Sequence, residues 1–356
     1  MRSDTHDAPA AAAEHFGAER TGGAGRITLD RPAKINALTP AMVRGVRSVL
    51  ERWADDDSLR TVVLDGAGPR GFCAGGDLRA VLGAFHTAAA FWTDEYRLNA
   101  RIAGYAKPIV AFMTGIVMGG GVGLSAHARH RVVSGSTRLA MPEVALGIIP
   151  DVGATWLLSR SPGEIGTYFA LTGTSVGPAD ALLLGLADAF VPETGIDALR
   201  TALLREAPPN DAAVREIIAR YAAPAGPAPL AAERASIDHW FSAGSVEEIV
   251  AALDADESDF ARVTAATLAA RSPTSLKLTL RALREARRCA NVHECLQLEY
   301  RVMSRRHGAA DFREGIRAAI IDKDRRPRWE PADLRGVTAE AVDAHFASLG
   351  SDEWHV

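Results

Sequence analysis

Residues 109–126 read Ile-Val-Ala-Phe-Met-Thr-Gly-Ile-Val-Met-Gly-Gly-Gly-Val-Gly-Leu-Ser-Ala, an apolar run that passes into a series of glycines. The apolar run, Ile109 to Met113, is predicted to be a buried strand, and the glycines lead into a helix. Successive glycines at a helix N-terminus leave backbone N–H groups free along the positive end of the helix dipole. The segment is therefore predicted to receive an anion or a developing oxyanion.

Similar apolar runs rich in β-branched residues occur on both sides of this segment, at residues 26–30, 61–65 and 131–134. Helical or glycine-rich stretches separate them, which is the pattern of an α/β fold. Thr39 and Pro40 are typical of a helix start, with a capping hydroxyl followed by proline at the first helical position. After about residue 155 helical periodicity replaces the strand pattern.

The chain is predicted to have three parts. Residues 1–20 are small and polar and are predicted to be a disordered N-terminal tail, residues 21–225 an α/β core, and residues 226–356 a helical C-terminal region with an extension. The boundary is placed at the Pro/Ala/Gly stretch around residues 222–229, where helical periodicity is interrupted.

Composition excludes several classes of protein. With 47% hydrophobic residues, the 356-residue chain can bury a core, but its richest apolar run is interrupted by five glycines and predicts no membrane span. A net charge of −4 gives no global field for nucleic acid. Cys73, Cys289 and Cys295 form no CxxC pair, which argues against disulfides and structural zinc, and favours a reducing cytoplasm.

A basic stretch lies between Lys277 and Arg306 on a strongly helical pattern. It has two interpretations, a solvated helix face or a surface that meets phosphates. The remaining cations of the stretch are Arg281, Arg284, Arg287, Arg288, Arg301 and Arg305.

Another glycine loop follows the second predicted strand, at Gly71-Phe-Cys-Ala-Gly-Gly-Asp77-Leu. Glycines at 75 and 76 permit backbone angles that are strained for other residues, so that an N–H can turn into a cavity. An ordinary tight turn is the alternative.

The third informative segment is Ala140-Met-Pro-Glu143-Val-Ala-Leu-Gly-Ile-Ile-Pro-Asp151. Two carboxylates each follow a proline in an otherwise nearly apolar stretch. Apolar surroundings disfavour the charged form of a carboxylate, so the pKa rises toward the range useful for general acid/base work. The alternative is a pair of loop acids that reach solvent or cap neighbouring helices.

Two other motifs are weaker. Gly121-Val-Gly-Leu-Ser-Ala126 matches a dinucleotide-binding fingerprint, but two predicted strands precede it and the next run lacks a terminal acid. His127 and His130 are spaced i, i+3 with no intervening glutamate and no evident third ligand, so no metal site is expected. No serine lies in a G-x-S-x-G elbow, which leaves a carboxylate or water as the nucleophile.

Taken in this order, the three segments resemble the crotonase (enoyl-CoA hydratase/isomerase) superfamily from about Arg26 to Pro331. The resemblance implies a repeated ββα spiral core with a helical C-terminal region, and an acyl-CoA substrate whose coenzyme A makes any further cofactor unnecessary. Gly76 and Gly120 match the two backbone donors of the superfamily's oxyanion hole. Members usually form trimers or hexamers, so a homo-oligomer is expected, and neither nucleic acid nor membrane is an expected partner.

Within the superfamily the chain is similar to the 3-hydroxyisobutyryl-CoA hydrolase branch of valine catabolism. Hydratases carry a first glutamate where this chain has Gly123, and usually a glycine where it has Asp151. The segments Leu298-Glu-Tyr-Arg301 and Ile320-Ile-Asp-Lys-Asp-Arg-Arg-Pro-Arg-Trp329 also follow the hydrolases. The implied reaction is hydrolysis of a short, branched 3-hydroxyacyl-CoA, with Glu143 and Asp151 as the catalytic pair.

The resemblance also implies a set of substrate-binding residues. Glu95 matches a substrate contact of the hydrolases, and Ala74 and Asp77 flank the first oxyanion position. Lys34 matches a coenzyme A contact, although the lysine is moved by one place from its commoner position. An enoyl-CoA hydratase or isomerase, and a non-catalytic acyl-CoA-binding protein of the same fold, are the alternative functions.

Overall fold

The computed structural model describes residues 15–78 and 85–355, without the side chains of residues 85–89. The chain forms two compact units, each assembled from separate segments. The first consists of Met1–Asp77, Arg97–Leu139 and Val176–Ala228, and the second of Leu78–Tyr96, Ala140–Ser175 and Pro229–Val356.

Eight strands are found in the described chain, most of them in one sheet. Their bounds are β1 Phe16–Thr21, β2 Ala24–Leu29, β3 Thr61–Gly66, β4 Ile109–Met113, β5 Ile116–Met118, β6 His130–Val133, β7 Arg138–Ala140 and β8 Ala189–Phe190. The six-stranded sheet has the order β1-β2-β3-β4-β6-β8, and β5 pairs with β7 separately. Only β1 and β2 run antiparallel in the large sheet; the pairs from β2 to β8 are parallel.

The α-helices of the described residues are numbered in chain order. They are α1 Pro40–Ala54, α2 Phe85–Ala103, α3 Gly120–Ser125, α4 Ala154–Leu158, α5 Ile165–Thr172, α6 Pro178–Leu183, α7 Glu193–Glu206, α8 Asp211–Ala219, α9 Pro229–Ala232, α10 Arg234–Phe241, α11 Val246–Asp254, α12 Asp259–Ala269, α13 Pro273–Ala286, α14 Val292–Arg306, α15 Ala310–Ile316 and α16 Ala339–Phe346. Short 3-10 turns cover Pro32–Lys34, Glu143–Ala145, Leu334–Gly336 and Gly350–Asp352, and a π-helical turn covers Arg317–Ile321. No helix among the described residues has the length and hydropathy needed to cross a membrane.

The first unit is the sheet with helices packed on it. Thr39 caps α1 by accepting a hydrogen bond from the Met42 N–H, with Pro40 at the first helical position as the sequence indicates. Buried side chains of β3, β4 and β6 form a core with those of α7 and α8. These strands are buried on both faces, which explains their continuous apolar sequence.

The second unit is almost entirely helical. Ser272 caps α13 by accepting from the Ser275 N–H, and Pro273 follows it at the first helical position. Ser245 and Glu248 form a reciprocal capping box at the start of α11. Each of these caps therefore satisfies part of the backbone N–H groups at the start of its helix.

The predicted α/β fold with a helical C-terminal region is confirmed, with two differences in its limits. β1 begins at Phe16, inside the predicted tail, because Phe16 is buried and pairs with Leu29 across the hairpin; residues 1–14 lie outside the described residues. The predicted boundary at residue 225 lies close to the end of the first unit at Ala228, but residues 78–96 and 140–175 belong to the second unit. Those segments contact residues distant in sequence, which local patterns do not show.

Candidate active site

Two glycine loops meet in the first unit. The Phe72 and Cys73 N–H groups donate to the Thr114 and Ile116 carbonyls, and the Cys73 carbonyl accepts from the Met118 N–H. Gly75 has φ +96°, and a Cβ there would lie 3.4 Å from the Gly120 nitrogen. A Cβ on Gly121 would lie 2.5 Å from the Cys73 carbonyl oxygen, so only glycine permits this approach.

This packing leaves two backbone donors available. Gly120 is the first residue of α3, so its N–H has no acceptor within the helix. The backbone groups on either side of Gly76 are hydrogen-bonded to Leu38. The Gly75 carbonyl accepts from the Leu38 N–H, and the Asp77 N–H donates to the Leu38 carbonyl. Within residues 15–78 and 85–355, neither the Gly76 nor the Gly120 N–H has an acceptor. Both match the chemistry of an oxyanion hole.

Lys34, Ala74 and Asp77 lie in the same unit. Lys34 ends the exposed 3-10 turn Pro32–Lys34, and the next residue, Ile35, accepts a hydrogen bond from the Ala74 N–H at 2.9 Å. The Asp77 carboxylate is 2.7 Å from the Arg31 guanidinium in an ion pair. Asp77 therefore holds the loop, while the Lys34 ammonium is free to reach solvent.

Glu143 lies in the second unit, at the start of the turn Glu143–Ala145. It is only 5% exposed, and its Oε2 atom has no hydrogen-bond partner among the described residues. Burial raises its pKa well above the ordinary range, and the charges of Asp151 and Glu95 add to the effect. A buried carboxylate with an unsatisfied oxygen is suited to accept a proton or attack a carbonyl.

The Asp151 carboxylate is held by a side-chain hydrogen bond. Its Oδ2 atom accepts a 2.7 Å hydrogen bond from the Tyr96 hydroxyl, and both side chains are buried. Burial raises the pKa of Asp151 to about 6, while the Tyr96 hydrogen bond opposes the rise by favouring the ionised form. Of these two effects, burial is the larger.

Glu95 completes the group of three acids that the sequence predicts. It lies on α2 beside Tyr96, is 3% exposed, and its Oε1 atom has no partner among the described residues. Burial first, and then the charge of Asp151, raise its pKa well above the ordinary range. The second unit thus brings Glu95, Glu143 and Asp151 into one electrostatic cluster.

A fourth buried carboxylate, Glu299, supports the turn that follows Asp151. Its Oε2 accepts from the Gly153 N–H at 2.7 Å, and its Oε1 accepts from the Thr155 N–H at 3.0 Å and from the Thr155 hydroxyl at 2.5 Å. The turn needs this support because Val152 has φ +55°, a strained angle for a β-branched residue. Burial raises the pKa of Glu299 to about 8.

The chain between Glu143 and Asp151 is held from α14 and α15. The Arg306 guanidinium donates to the Gly147 carbonyl at 2.7 and 3.0 Å. A Cβ on Gly147 would lie 2.5 Å from the Asp311 backbone, and one on Gly315 would lie 2.5 Å from that of Leu146. Two glycines and a buried arginine therefore fix the spacing of the two catalytic candidates.

Tyr96, Glu299 and Arg306 were not predicted from the sequence as residues of the site. A signal for two of them exists, because Glu299 and Arg306 lie on the buried stripe of α14, where charged residues are rare unless paired. The apolar members of that stripe are Val292, Cys295, Leu296, Leu298, Val302 and Met303. Tyr96 carries no comparable signal, since a buried tyrosine is ordinary.

The weaker motifs have structural partners. The His130 Nε2 atom lies 2.9 Å from the Asp211 Oδ1 atom, so the two side chains form an ion pair or a hydrogen bond. No cluster of three or more metal-ligating side chains was found in the described part of the chain. The basic stretch is largely neutralised within the second unit, which favours its interpretation as a structural helix face. Its ion pairs are Lys277–Glu247, Arg281–Asp343, Arg284–Glu164, Arg287–Glu164 and Arg301–Glu353.

Comparison with known proteins identifies the family of the chain. Residues 24–346 match the family model described as enoyl-CoA hydratase/isomerase. The chain belongs to that family. A curated relative from Danio rerio, named 3-hydroxyisobutyryl-CoA hydrolase, mitochondrial, is 42% identical over 340 residues, which cover 93% of this chain and 89% of the relative.

Two solved structures of the family are also similar. One is titled a carnitinyl-CoA dehydratase from Mycobacterium thermoresistibile, with 43% identity, a TM-score of 0.90, and coverage of 94% of this chain and 97% of that one. The other is titled an enoyl-CoA hydratase from Rhodobacter sphaeroides, with 44% identity, a TM-score of 0.87, and coverage of 95% and 98%. Both support the fold, but their titles differ from the name of the hydrolase relative.

Proposed function

We propose that this protein hydrolyses 3-hydroxyisobutyryl-CoA to the free hydroxy acid and coenzyme A. The observation that carries the proposal is the buried pair Glu143 and Asp151 in a chain that has Gly123 in place of a second hydratase acid. The hydrolase name of the Danio rerio relative supports the same substrate.

Hydration is the competing function, because the two solved structures carry dehydratase and hydratase titles at 43% and 44% identity. Overall identity does not separate these from the hydrolase relative at 42%. The site residues favour hydrolysis. Delivering water across a double bond requires a proton donor and a proton acceptor, and Gly123 has no side chain to supply one of them.

In the proposed reaction the Gly76 and Gly120 N–H groups polarise the thioester carbonyl and stabilise the oxyanion that develops on it. Glu143 acts in one of two ways. Its carboxylate attacks the carbonyl carbon to form a mixed anhydride that water then cleaves, or it removes a proton from an attacking water. In the first route the C–S bond breaks as the thiolate leaves, and the water that then cleaves the anhydride supplies the hydroxyl of the free acid and the proton that the thiolate takes up. In the second route the proton that Glu143 removes from water passes to the sulfur as the C–S bond breaks. Coenzyme A is part of the substrate, and we propose no further cofactor.

Electrostatics support this assignment of roles. Burial and the neighbouring Asp151 charge raise the pKa of Glu143 well above the ordinary range, which brings a base closer to the working pH. Asp151, whose pKa is raised to about 6, can accept a hydrogen bond from the substrate hydroxyl when it is ionised. Because the reaction uses ionised Glu143, its rate is expected to rise with pH through that pKa.

The first test is a direct comparison of two activities. The purified protein is expected to release free thiol from 3-hydroxyisobutyryl-CoA, measured with a thiol reagent, and to hydrate crotonyl-CoA at a negligible rate, measured by loss of enoyl absorbance. Rapid hydration of crotonyl-CoA without thiol release would replace the hydrolase proposal with the hydratase one.

The second test concerns Asp151. The variant Asp151→Gly is expected to lose hydrolysis of 3-hydroxyisobutyryl-CoA far more than hydrolysis of isobutyryl-CoA, which lacks the hydroxyl. A site built to bind a hydroxyl loses about 1 to 3 kcal/mol when one partner is removed. Asp151→Asn serves as a control of similar size without the charge. Equal losses on both substrates would assign Asp151 to the leaving group instead.

Compartment and assembly are also proposed. Cys73, Cys289 and Cys295 form no disulfide with one another, which suits a reducing compartment, and the cytoplasm is proposed, although the Danio rerio relative is named mitochondrial. A homo-oligomer is proposed on the resemblance to the superfamily alone. Sedimentation velocity of the purified chain would measure the oligomer.

A further inference from the structure

The last residues of the described chain form a hook on α14, defined here as Glu353–His355. The Glu353 Oε1 atom is 2.7 Å from the Arg301 guanidinium, and its Oε2 accepts from the Leu349 N–H at 2.9 Å. The His355 ring lies 3.1 Å from the Gln297 side chain. Polar contacts on both sides of Trp354 therefore hold the hook in place.

Trp354 is the buried centre of the hook. It is 6% exposed and packs edge-on against Tyr96, with ring centroids 5.9 Å apart and planes at 74°. A tilted contact with Tyr300 at 5.7 Å lies on the same indole. The indole N–H has no acceptor among the described residues, so aromatic packing fixes the ring.

Tyr96 connects this indole to the candidate active site. Its ring is fully buried, and its hydroxyl donates the 2.7 Å hydrogen bond to Asp151 Oδ2. A small tilt of the ring about its side-chain torsions moves the hydroxyl furthest, because it lies at the far end of the side chain. A rigid neighbour against the ring is therefore what keeps the hydrogen bond short.

We propose that Trp354 is a positioning residue, which fixes the Tyr96 ring so that its hydroxyl donates to Asp151. The Glu353 ion pair with Arg301 holds Trp354 in turn. The same helix, α14, carries Glu299, which supports the turn after Asp151. Helix α14 therefore positions Asp151 in two ways. It holds the side chain indirectly, through the hook and Tyr96, and it supports the backbone directly, through Glu299.

The effect on catalysis rests on the proposed function, whereas the effect on Asp151 itself does not. The titratable groups that face Asp151 are Tyr96, Glu95, Glu143 and Glu299. Of these only Tyr96 donates to the ionised carboxylate and favours its charge, so loss of this hydrogen bond moves the pKa of Asp151 above about 6.

The first experiment needs no substrate. Carboxyl carbon resonances of the protein labelled with 13C-aspartate are followed against pH, and Asp151 is assigned by its absence in Asp151→Asn. The Asp151 midpoint is expected to move to higher pH in Tyr96→Phe and in Trp354→Ala, and less in Trp354→Phe, which keeps an aromatic edge. The double variant Tyr96→Phe/Trp354→Ala is expected to show no further movement.

An unchanged midpoint in a folded Trp354→Ala protein, with a shifted one in Tyr96→Phe, would overturn the proposal. If Trp354→Ala does not fold, Glu353→Ala loosens the hook without removing a ring and is expected to shift the midpoint in the same direction. Phe346→Ala is the matched control, since Phe346 packs under Arg281 in the same region, and it is expected to leave the midpoint unchanged.

The second experiment separates positioning from general stability. The ratio of kcat/KM for 3-hydroxyisobutyryl-CoA and isobutyryl-CoA does not depend on the fraction of active protein. In the wild-type background, Trp354→Ala is expected to change this ratio in the same direction as Asp151→Gly does. In the Tyr96→Phe background, Trp354→Ala is expected to change the ratio by less than about twofold. Equal factors in both backgrounds would make Trp354 merely structural. Absence of thiol release in the wild-type protein would reject the proposed function and leave the titration result standing.

Discussion

Hydrolysis by the Glu143→Gln variant is expected to be at least about a hundredfold slower than by the wild-type protein, as for loss of a nucleophile or general base. Gln has nearly the same size and cannot act in either role. Affinity for a coenzyme A ester is expected to be retained, because the change leaves the backbone donors at Gly76 and Gly120 in place. Thiol release measures the rate, and isothermal titration with a non-hydrolysable analogue measures the affinity.

The same variant has an expected effect on stability. The raised pKa of Glu143 means that the folded state keeps its proton at a pH where the unfolded chain has lost it. The unfolding free energy of the wild-type protein therefore falls as pH rises above the ordinary glutamate range, and Glu143→Gln removes that loss. At pH 8 the variant is expected to unfold at the same or a higher temperature than the wild-type protein.

Glu216→Gln provides the control for this substitution, since Glu216 is an exposed residue of α8. It is expected to leave the rate of hydrolysis unchanged. Hydrolysis near the wild-type rate by a folded Glu143→Gln protein would refute the assignment of Glu143.

Local patterns predicted much of the fold correctly. The strand at residues 109–113 and the helix start at Thr39-Pro40 appear where the sequence places them, because burial on both faces and N-capping are short-range constraints. The segments missed are those fixed by distant partners. Phe16 joins the sheet through Leu29, and residues 140–175 belong to the helical unit through contacts with the C-terminal region.

The candidate site was predictable to a similar extent. Glycine loops and acids in apolar stretches mark the candidate segments, and the resemblance to the superfamily is what selects Gly76, Gly120, Glu143 and Asp151 within them. The residues that support this site could not be proposed from the sequence, because they are distant along the chain. Glu299, for example, is 146 positions from Gly153, whose N–H donates to it. Only the three-dimensional structure shows that a glutamate on a buried stripe holds the turn after Asp151.

Replacing Gly120 with proline is expected to reduce kcat by about 100- to 1000-fold, or about 2.7 to 4 kcal/mol, because one donor of the oxyanion hole is lost. Proline has no N–H, yet it is tolerated at the first position of a helix, which is where Gly120 lies in α3. The substitution therefore removes the backbone donor at a position where the helix tolerates proline.

Gly120→Ala is the matched comparison, since it adds a side chain and keeps the N–H. Proline also restricts the preceding residue, here Gly119 with φ +51°, so rates are taken per folded molecule, with circular dichroism and ligand binding measured alongside. The proline variant is expected to bind a coenzyme A ester and fail in turnover, while the alanine variant retains more activity. If both variants lose turnover equally, bulk at position 120 and not the missing donor explains the defect, and full activity in Gly120→Pro would place the oxyanion hole elsewhere.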